Sequence, residues 1–269
     1  MTAGDTVGIL TDITRCVGCY QCVDACAQVH NLGPDIPAPQ DLPDGLSARR
    51  WTTILEQPAN HYVRKQCRHC LNPACVSVCP VGAMQKTALG PVIYDSSKCL
   101  GCRYCMMACP YGIPRYQWDS LAPVVRKCTL CYERLQAGKL PACVEACPQQ
   151  ATIFGLRDDL LAEAHRRLQA EPAKYVQKVY GEHEVGGTSV LYISDVPLDF
   201  LGYRGYPGQK PLPELTEVVM SKIPAVAIGM TVLTAGIHWI ISRRMKIAAR
   251  TALVDTLPSK TAEDQDEIY

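Results

Sequence analysis

The sequence predicts an α+β protein in which one small unit occurs twice and a single C-terminal transmembrane helix follows. Three observations carry that expectation. Sixteen cysteines fall into four groups of four with related spacing. Short apolar strand patterns flank the first and last groups. Residues 223–241, IPAVAIGMTVLTAGIHWII, form a nineteen-residue run with no formal charge.

A chain of 269 residues has material for one large or two small domains. Its net charge of +1 offers no excess that would suit nucleic acid or a polyanionic substrate. Extracellular disulfide scaffolds are the ordinary explanation for so many cysteines, but they are usually short and do not sort their thiols in fours. Met1–Gly8 lacks a basic segment leading into an apolar one, so no secretory signal is expected there. Arg49-Arg50 is a twin-arginine pair, but it is internal and no apolar run follows it.

Val7 to Ile13 reads as a short strand, with Asp12 and Thr14 suited to a turn. It leads into the first group, Cys16-x2-Cys19-x2-Cys22-x3-Cys26. Residues 31–50 carry Pro34, Pro37, Pro39 and Pro43 and read as an irregular surface loop, either a spacer or a docking loop for a partner subunit. The second group is Cys67-x2-Cys70-x4-Cys75-x3-Cys79-Pro80, and nineteen residues later comes the third, Cys99-x2-Cys102-x2-Cys105-x3-Cys109-Pro110. The fourth is Cys128-x2-Cys131-x11-Cys143-x3-Cys147-Pro148, and no cysteine is left over.

The run C-x2-C-x2-C-x3-C-P is the ligand pattern of bacterial two-cluster ferredoxins, in which three thiolates hold one cube and the fourth serves its neighbour. The expected fold class is therefore α+β: a duplicated bacterial 2[4Fe-4S] ferredoxin-like domain ahead of the membrane helix. Groups two and three form an inner unit, and groups one and four an outer one. Swapping the fourth cysteine within each pair assigns Cys16, Cys19, Cys22 and Cys147 to one cluster and Cys128, Cys131, Cys143 and Cys26 to its neighbour. The inner pair becomes Cys67, Cys70, Cys75 and Cys109, beside Cys99, Cys102, Cys105 and Cys79. Four [4Fe-4S] clusters are expected. Structural zinc is the chemical rival, because thiolates suit it as well. Paired C-x2-C motifs on a long loop would favour zinc, whereas three cysteines in a row ending in Cys-Pro favour the cube.

Arg15, Lys98 and Lys127 directly precede the first cysteine of their groups, and Lys65 stands two before Cys67. A cation beside a four-thiolate cluster stabilises its reduced form and raises its potential, so these four are candidates for tuning. His69, between Cys67 and Cys70, is placed to hydrogen-bond a sulfur, although a surface or core histidine is the ordinary reading. No phosphate-cradling glycine loop, H-E-x-x-H pair or nucleophile elbow accompanies the cysteines. The chain is expected to pass electrons without transforming a substrate, with no catalytic residue of its own.

After the fourth group, Ala151–Leu156 reads as a closing strand and Asp158–Ala170 as an amphipathic helix with Leu160, Leu161, Ala164 and Leu168 on one face. Residues 186–193 read as a glycine turn into a last strand, and 197–213 as a proline- and glycine-rich linker. At 1.5 Å per residue the run 223–241 spans roughly 28 Å, close to the hydrocarbon core of a bilayer. Arg243, Arg244, Lys246 and Arg250 follow it, against Lys222 alone before it. The positive-inside rule then puts the C-terminus in the cytoplasm and the cysteine-rich part on the periplasmic side. Trp239 fits an interfacial belt, and His238 is a candidate contact to a haem or quinone site. The expected domains are an electron-transfer domain over 1–196, a linker over 197–222, a membrane helix over 223–242 and a cytoplasmic tail over 243–269.

The four-group pattern, with CPYGIPRY at 109–116, KCTLCYERLQAGKLPACVEACP at 127–148 and GGTSVLYIS at 186–194, resembles the iron–sulfur electron-transfer subunits of membrane-bound hydrogenases and respiratory formate dehydrogenases. The match runs over essentially residues 5–245. The resemblance implies a four-cluster subunit linking a catalytic oxidoreductase subunit to an integral membrane subunit, either quinone-reactive or a di-haem cytochrome b, with membrane lipid around the anchor. It also implies export in the folded state beside a partner bearing a twin-arginine signal. The alternatives are a membrane-tethered ferredoxin serving diffusing partners, and a zinc-stapled structural adaptor that is redox-silent.

Overall fold

The computed structural model describes residues 6–35, 43–57, 60–198 and 208–255. The first five residues, Pro37 and Pro39 of the proline-rich loop, much of the expected linker and the end of the expected cytoplasmic tail lie outside the described residues.

Strand β1 (Val7–Asp12) is followed by helix α1 (Gln21–Val29) and the hairpin β2 (Thr53–Gln57) and β3 (His61–Lys65). Next come α2 (Ala74–Ser77), the ladder β4 (Met84–Lys86) and β5 (Val92–Tyr94), α3 (Tyr104–Ala108), and the ladder β6 (Arg115–Tyr116) and β7 (Val125–Arg126). Helices α4 (Tyr132–Gln136) and α5 (Ala142–Glu145), strand β8 (Thr152–Leu156), helix α6 (Arg157–Ala170) and strand β9 (Val190–Ile193) complete this part. Helices α7 (Leu212–Met220) and α8 (Ile223–Asp255) follow.

The topology is a mixed α/β, ferredoxin-like one. One sheet has the order β8-β1-β9, with β1 antiparallel to β8 and parallel to β9. Ile9 sits opposite both Phe154 and Val190, so the start of the chain is clamped between two strands that follow the last cysteine group. That pairing folds the fourth group back onto the first. The sheet is covered on both faces, as the period-2 alternation of its strands shows. Ile9, Val190 and Tyr192 face a core shared with Cys143. Leu10, Leu191 and Ile193 face α6, which buries Leu160, Ala164 and Leu168 there. Leu161, on the flank of the helix, is only partly buried. Truncating any one of those leucines to alanine costs roughly 2–5 kcal/mol, the ordinary penalty of a core cavity.

The loop expected at the surface turns inward among its described residues. Leu46 and Ser47 are buried, and Asp44 pairs with Lys65 at 2.8 Å and with Arg115. Arg49 and Arg50 pair with Asp119 and Asp35, an ordinary surface use of a twin-arginine pair.

The chain divides after Leu215 into two units. In the second, α8 continues well past Ile241, because residues 242–250 contain no glycine or proline and are rich in good helix formers. The helical stretch Leu212–Ala252 is long and apolar enough to cross a membrane, and its most apolar window is entirely unburied. Thr231 and Thr234 donate their hydroxyls to the carbonyls of Ala227 (2.8 Å) and Met230 (2.9 Å). Both polar groups are thus satisfied inside the helix, as a lipid setting demands. The Arg243 guanidinium lies 5.3 Å from the Trp239 ring.

Candidate metal centres

Each cysteine group opens with the same local bend. The residue before the second cysteine has positive φ in all four: Gly18 (66°), His69 (48°), Gly101 (70°) and Leu130 (57°). For the two side chains that are not glycine this costs about 1–2 kcal/mol each. The bend turns amide N–H groups back onto sulfur. Gly101 N–H donates to Cys99 Sγ at 3.3 Å and Leu130 N–H to Cys128 Sγ at 3.4 Å. Two further motifs recur in alternation. Asp12 accepts from Thr14 N–H (3.2 Å) and a 3-10 turn over Ile13–Arg15 delivers Cys16. Asp95 accepts from Ser97 N–H (3.0 Å) and an equivalent turn over Ser96–Lys98 delivers Cys99. Likewise Pro73 caps α2, which carries Cys75, and Pro141 caps α5, which carries Cys143.

Tertiary packing then collects the sulfurs into four neighbourhoods. Helix α1 packs on α5, and α2 on α3. Cys16, Cys19, Cys22 and Cys147 line one cavity, with Cys143, Arg64 and Thr152 also in its wall. Cys26, Cys128, Cys131 and Cys143 line a second, together with His30, Thr52 and Gln66. Cys70 lies within electrostatic reach of Cys109, Cys67 and Cys75, and Cys105 within reach of Cys99, Cys102 and Cys79. Electrostatic repulsion across neighbouring groups orders them in a row: Cys22 feels Cys143, Cys128 feels Cys67, and Cys75 feels Cys105. The two exposed cysteines, Cys19 and Cys102, belong to the end neighbourhoods, whereas Cys26, Cys128, Cys131 and Cys143 are all buried.

Burial pushes most of these thiols up, and their mutual repulsion adds to it. Cys22 rises to about 11, and Cys75 and Cys105 to about 12. Such thiols ionise only as a metal displaces their protons, so loading releases protons. Cys99 departs from this pattern. Burial would raise it, but hydrogen bonds from the Tyr94 hydroxyl and from the Gly101 and Val125 amides outweigh that and hold it below the ordinary thiol range.

Several buried donors in the two cavities have no hydrogen-bond partner among the described residues: Arg64 Nε and Nη1 and Thr152 Oγ1 in the first, Thr52 Oγ1 and Gln66 Nε2 in the second. An orphaned buried donor costs about 1–3 kcal/mol. Acceptor sulfur held between the cysteines would satisfy these groups, so the lining fits an iron–sulfur cube. The all-thiolate donor set fits it too. Among the described residues, no three His, Cys, Asp or Glu side chains are drawn together as a single-ion site.

The four sequence-read cations divide by exposure. Arg15 and Lys98 are about half exposed and face Asp12 (3.5 Å) and Asp95 (3.3 Å). Lys65 is buried on Asp44. Lys127 is buried as well, donating to the Cys128 carbonyl at 3.0 Å and pulling the Cys75 thiol down against its burial. His69 is a core histidine whose Nδ1 accepts from Val92 N–H at 2.9 Å. His238 Nε2 lies 3.4 Å from Ser242 Oγ, one turn along its own helix.

Three polar residues near the sulfurs escape sequence reasoning. Arg64 is wholly buried. Lys86 donates to the Cys70 carbonyl at 2.9 Å; burial brings its ammonium down to about 8 although Cys70, Cys67 and Cys75 draw it up. His30 Nε2 stands 3.3 Å from Cys131 Sγ, its ring 4.8 Å from that of Trp51. None adjoins its partner cysteine in sequence, so spacing carries no signal for them.

A 4Fe-4S dicluster domain family matches residues 59–157, which hold the second, third and fourth cysteine groups. Over longer stretches the chain is similar to a protein of Nitratidesulfovibrio vulgaris, at 40% identity over 98% of this chain and 75% of the relative. It is 39% identical to the hydrogenase-2 operon protein HybA of Escherichia coli O157:H7, over 73% of this chain and 72% of HybA. It is 33% identical to the formate dehydrogenase-O iron-sulfur subunit of Escherichia coli K12, over 88% of this chain and 83% of that subunit.

Proposed function

The chain belongs to the family of iron–sulfur subunits that includes HybA and the formate dehydrogenase iron–sulfur subunits, and we propose that it carries electrons through four [4Fe-4S] clusters from a catalytic subunit of that kind to a membrane partner. It is an electron-transfer subunit with a membrane anchor and has no catalytic role of its own. The observation that carries the four-cluster reading is the single row of sulfur neighbourhoods, with one exposed cysteine at each end and none exposed between.

The ligand sets are Cys16, Cys19, Cys22 and Cys147; Cys26, Cys128, Cys131 and Cys143; Cys67, Cys70, Cys75 and Cys109; and Cys79, Cys99, Cys102 and Cys105. A bound [4Fe-4S] cube supplies reversible one-electron transfer. The chain's own part is to hold the thiolates, aim amide N–H groups at sulfur, keep water from the middle of the row and present Cys19 and Cys102 at its ends. Lys65 and Lys127, and more weakly Arg15 and Lys98, tune the potentials. The recurring Asp-capped turns and Pro-capped helices support a duplicated two-cluster unit, with the first and fourth groups forming one copy and the second and third the other.

The electron-transfer domain covers residues 1–196, joined through 197–222 to a membrane helix at 223–242 and a cytoplasmic tail. Arg243, Arg244, Lys246 and Arg250 hold that tail inside, leaving the clusters on the periplasmic side. The membrane partner is a quinone-reactive or cytochrome b subunit, with His238 the candidate contact at its edge of the bilayer.

Iron and acid-labile sulfide analysis with EPR on the anaerobically purified complex tests this. About sixteen irons per chain with interacting signals on reduction are expected for four cubes. Zinc in place of iron, silent on reduction, overturns the proposal. Iron-loaded chain free of any catalytic subunit would instead favour a tethered ferredoxin.

A further inference from the structure

Strand β3 holds a charge where a strand core has no ordinary use for one. Arg64 sits opposite Ile54 across the β2–β3 ladder, and its side chain is fully buried. Its carbonyl accepts the Tyr192 hydroxyl at 2.7 Å, which ties this point of the strand to the central sheet. The guanidinium has one long contact, Nη2 to Thr11 Oγ1 at 3.4 Å, while Nε and Nη1 have no hydrogen-bond partner among the described residues. No carboxylate forms an ion pair with it among those residues. A buried cation left this way is costly unless an anion faces it. The groups that do face it are thiols of two adjacent neighbourhoods. Cys143 and Cys22 act on it most strongly, the Tyr192 hydroxyl comes next and Cys128 after that, and Arg64 draws down Cys16, Cys26 and Cys131 as well. It also lines the cavity of the first neighbourhood, whose wall includes Cys143 of the second.

We propose that Arg64 is the shared counter-charge of the two outer cluster sites, donating its unpaired N–H groups to sulfur there and raising both potentials together. It is a positioning residue rather than a ligand. A single cation placed between two negative clusters lifts both by similar amounts, so the step between them stays level. The exposed cations Arg15 and Lys98 are each matched by an aspartate and screened by water, and have no such reach.

The inference rests on the four-cluster reading, and its test separates the two. The intact complex carrying Arg64→Gln, Arg64→Lys or neither is assayed for iron and titrated redox-wise by EPR. Two of the four midpoint potentials are expected to fall in Arg64→Gln, with partial recovery in Arg64→Lys and no movement of the other two. Four unchanged potentials at full iron content overturn the role of Arg64 and leave the clusters standing. Missing iron in the unsubstituted complex brings down the cluster reading itself. Should Arg64→Gln fail to assemble, the unsubstituted complex grown on 15N-arginine decides by pulsed EPR. Nitrogen coupling to a reduced outer cluster is expected, and its absence overturns the proposal.

Discussion

The half of the molecule that carries the first and fourth cysteine groups is built on a sheet, whereas the half with the second and third hangs on ladders of two or three residue pairs. Both halves use the same Asp-capped turn to deliver a cysteine, yet they hold it differently. Asp12 is fully buried and also accepts from Arg167 (3.1 Å) and from the Tyr175 hydroxyl (2.9 Å), so α6 and the loop beyond it brace the turn. Among the described residues Asp95 has only its own turn and the neighbouring exposed Lys98. Around the third group Leu100, Tyr104 and Met107 stand in solvent. Identical local geometry therefore sits in a braced setting at one place and a self-supporting one at the other. Stability and electrostatics should differ accordingly.

The largest contrast is expected among the proposed cluster ligands. Cys143 is assigned to one site and also walls the neighbouring outer cavity, so Cys143→Ser is expected to lose its own site's share, about a quarter of the iron, and to loosen part of the next, while Cys102→Ser, at the exposed end, loses about a quarter and no more. Iron analysis of the two variants checks this, and equal losses would erase the distinction between halves. Next comes the brace. Asp12→Ala removes the acceptor of a buried network and should cost about 3–5 kcal/mol, read as a lowered urea midpoint. Asp95→Ala should move that midpoint far less.

Asp44 joins the halves, since Lys65 belongs to β3 and Arg115 to β6. Burial would raise its carboxyl, but hydrogen bonds from Lys65 and Arg115 prevail and hold it below the ordinary range. Its folded pKa lies under the unfolded one, so its stabilisation is complete above about pH 4 and is lost as pH falls through the lowered value. Asp44→Asn should cost about 3 kcal/mol at neutral pH and flatten the acid limb of a stability–pH curve. An unchanged acid limb would show that the halves are joined elsewhere. The smallest effect is expected at Lys98→Gln, where exposure and Asp95 screen the charge, against a clear potential shift for Lys127→Gln in the buried middle of the row. Comparable shifts from both would mean that burial does not set which cations tune.

Much of the sheet half is legible in the sequence. The strand at Val7, the closing strand before Leu156, the helix with Leu160, Ala164 and Leu168, and the strand after Gly187 all follow from period and punctuation, and the structure departs from them by a residue or two. The loop before Trp51 is not legible, because its prolines report chain direction and say nothing about Asp44 finding two buried cations. Arg64 is hidden for a related reason. No cysteine spacing marks Arg64, and only the closure of two cysteine loops over it makes it interior.

The sequence by itself determined the cysteine groups, the positions suited to glycine within two of them and the uncharged span before Arg243. These are short-range matters, governed by covalent reach, φ and side-chain period. The tertiary structure alone decided which neighbourhoods adjoin, which sulfurs face solvent and where a guanidinium goes unpaired. Those outcomes depend on β1 pairing with β8 and β9 from the far end of the domain. Such pairing is settled by closing long loops around a common core, and no window of local sequence records that competition.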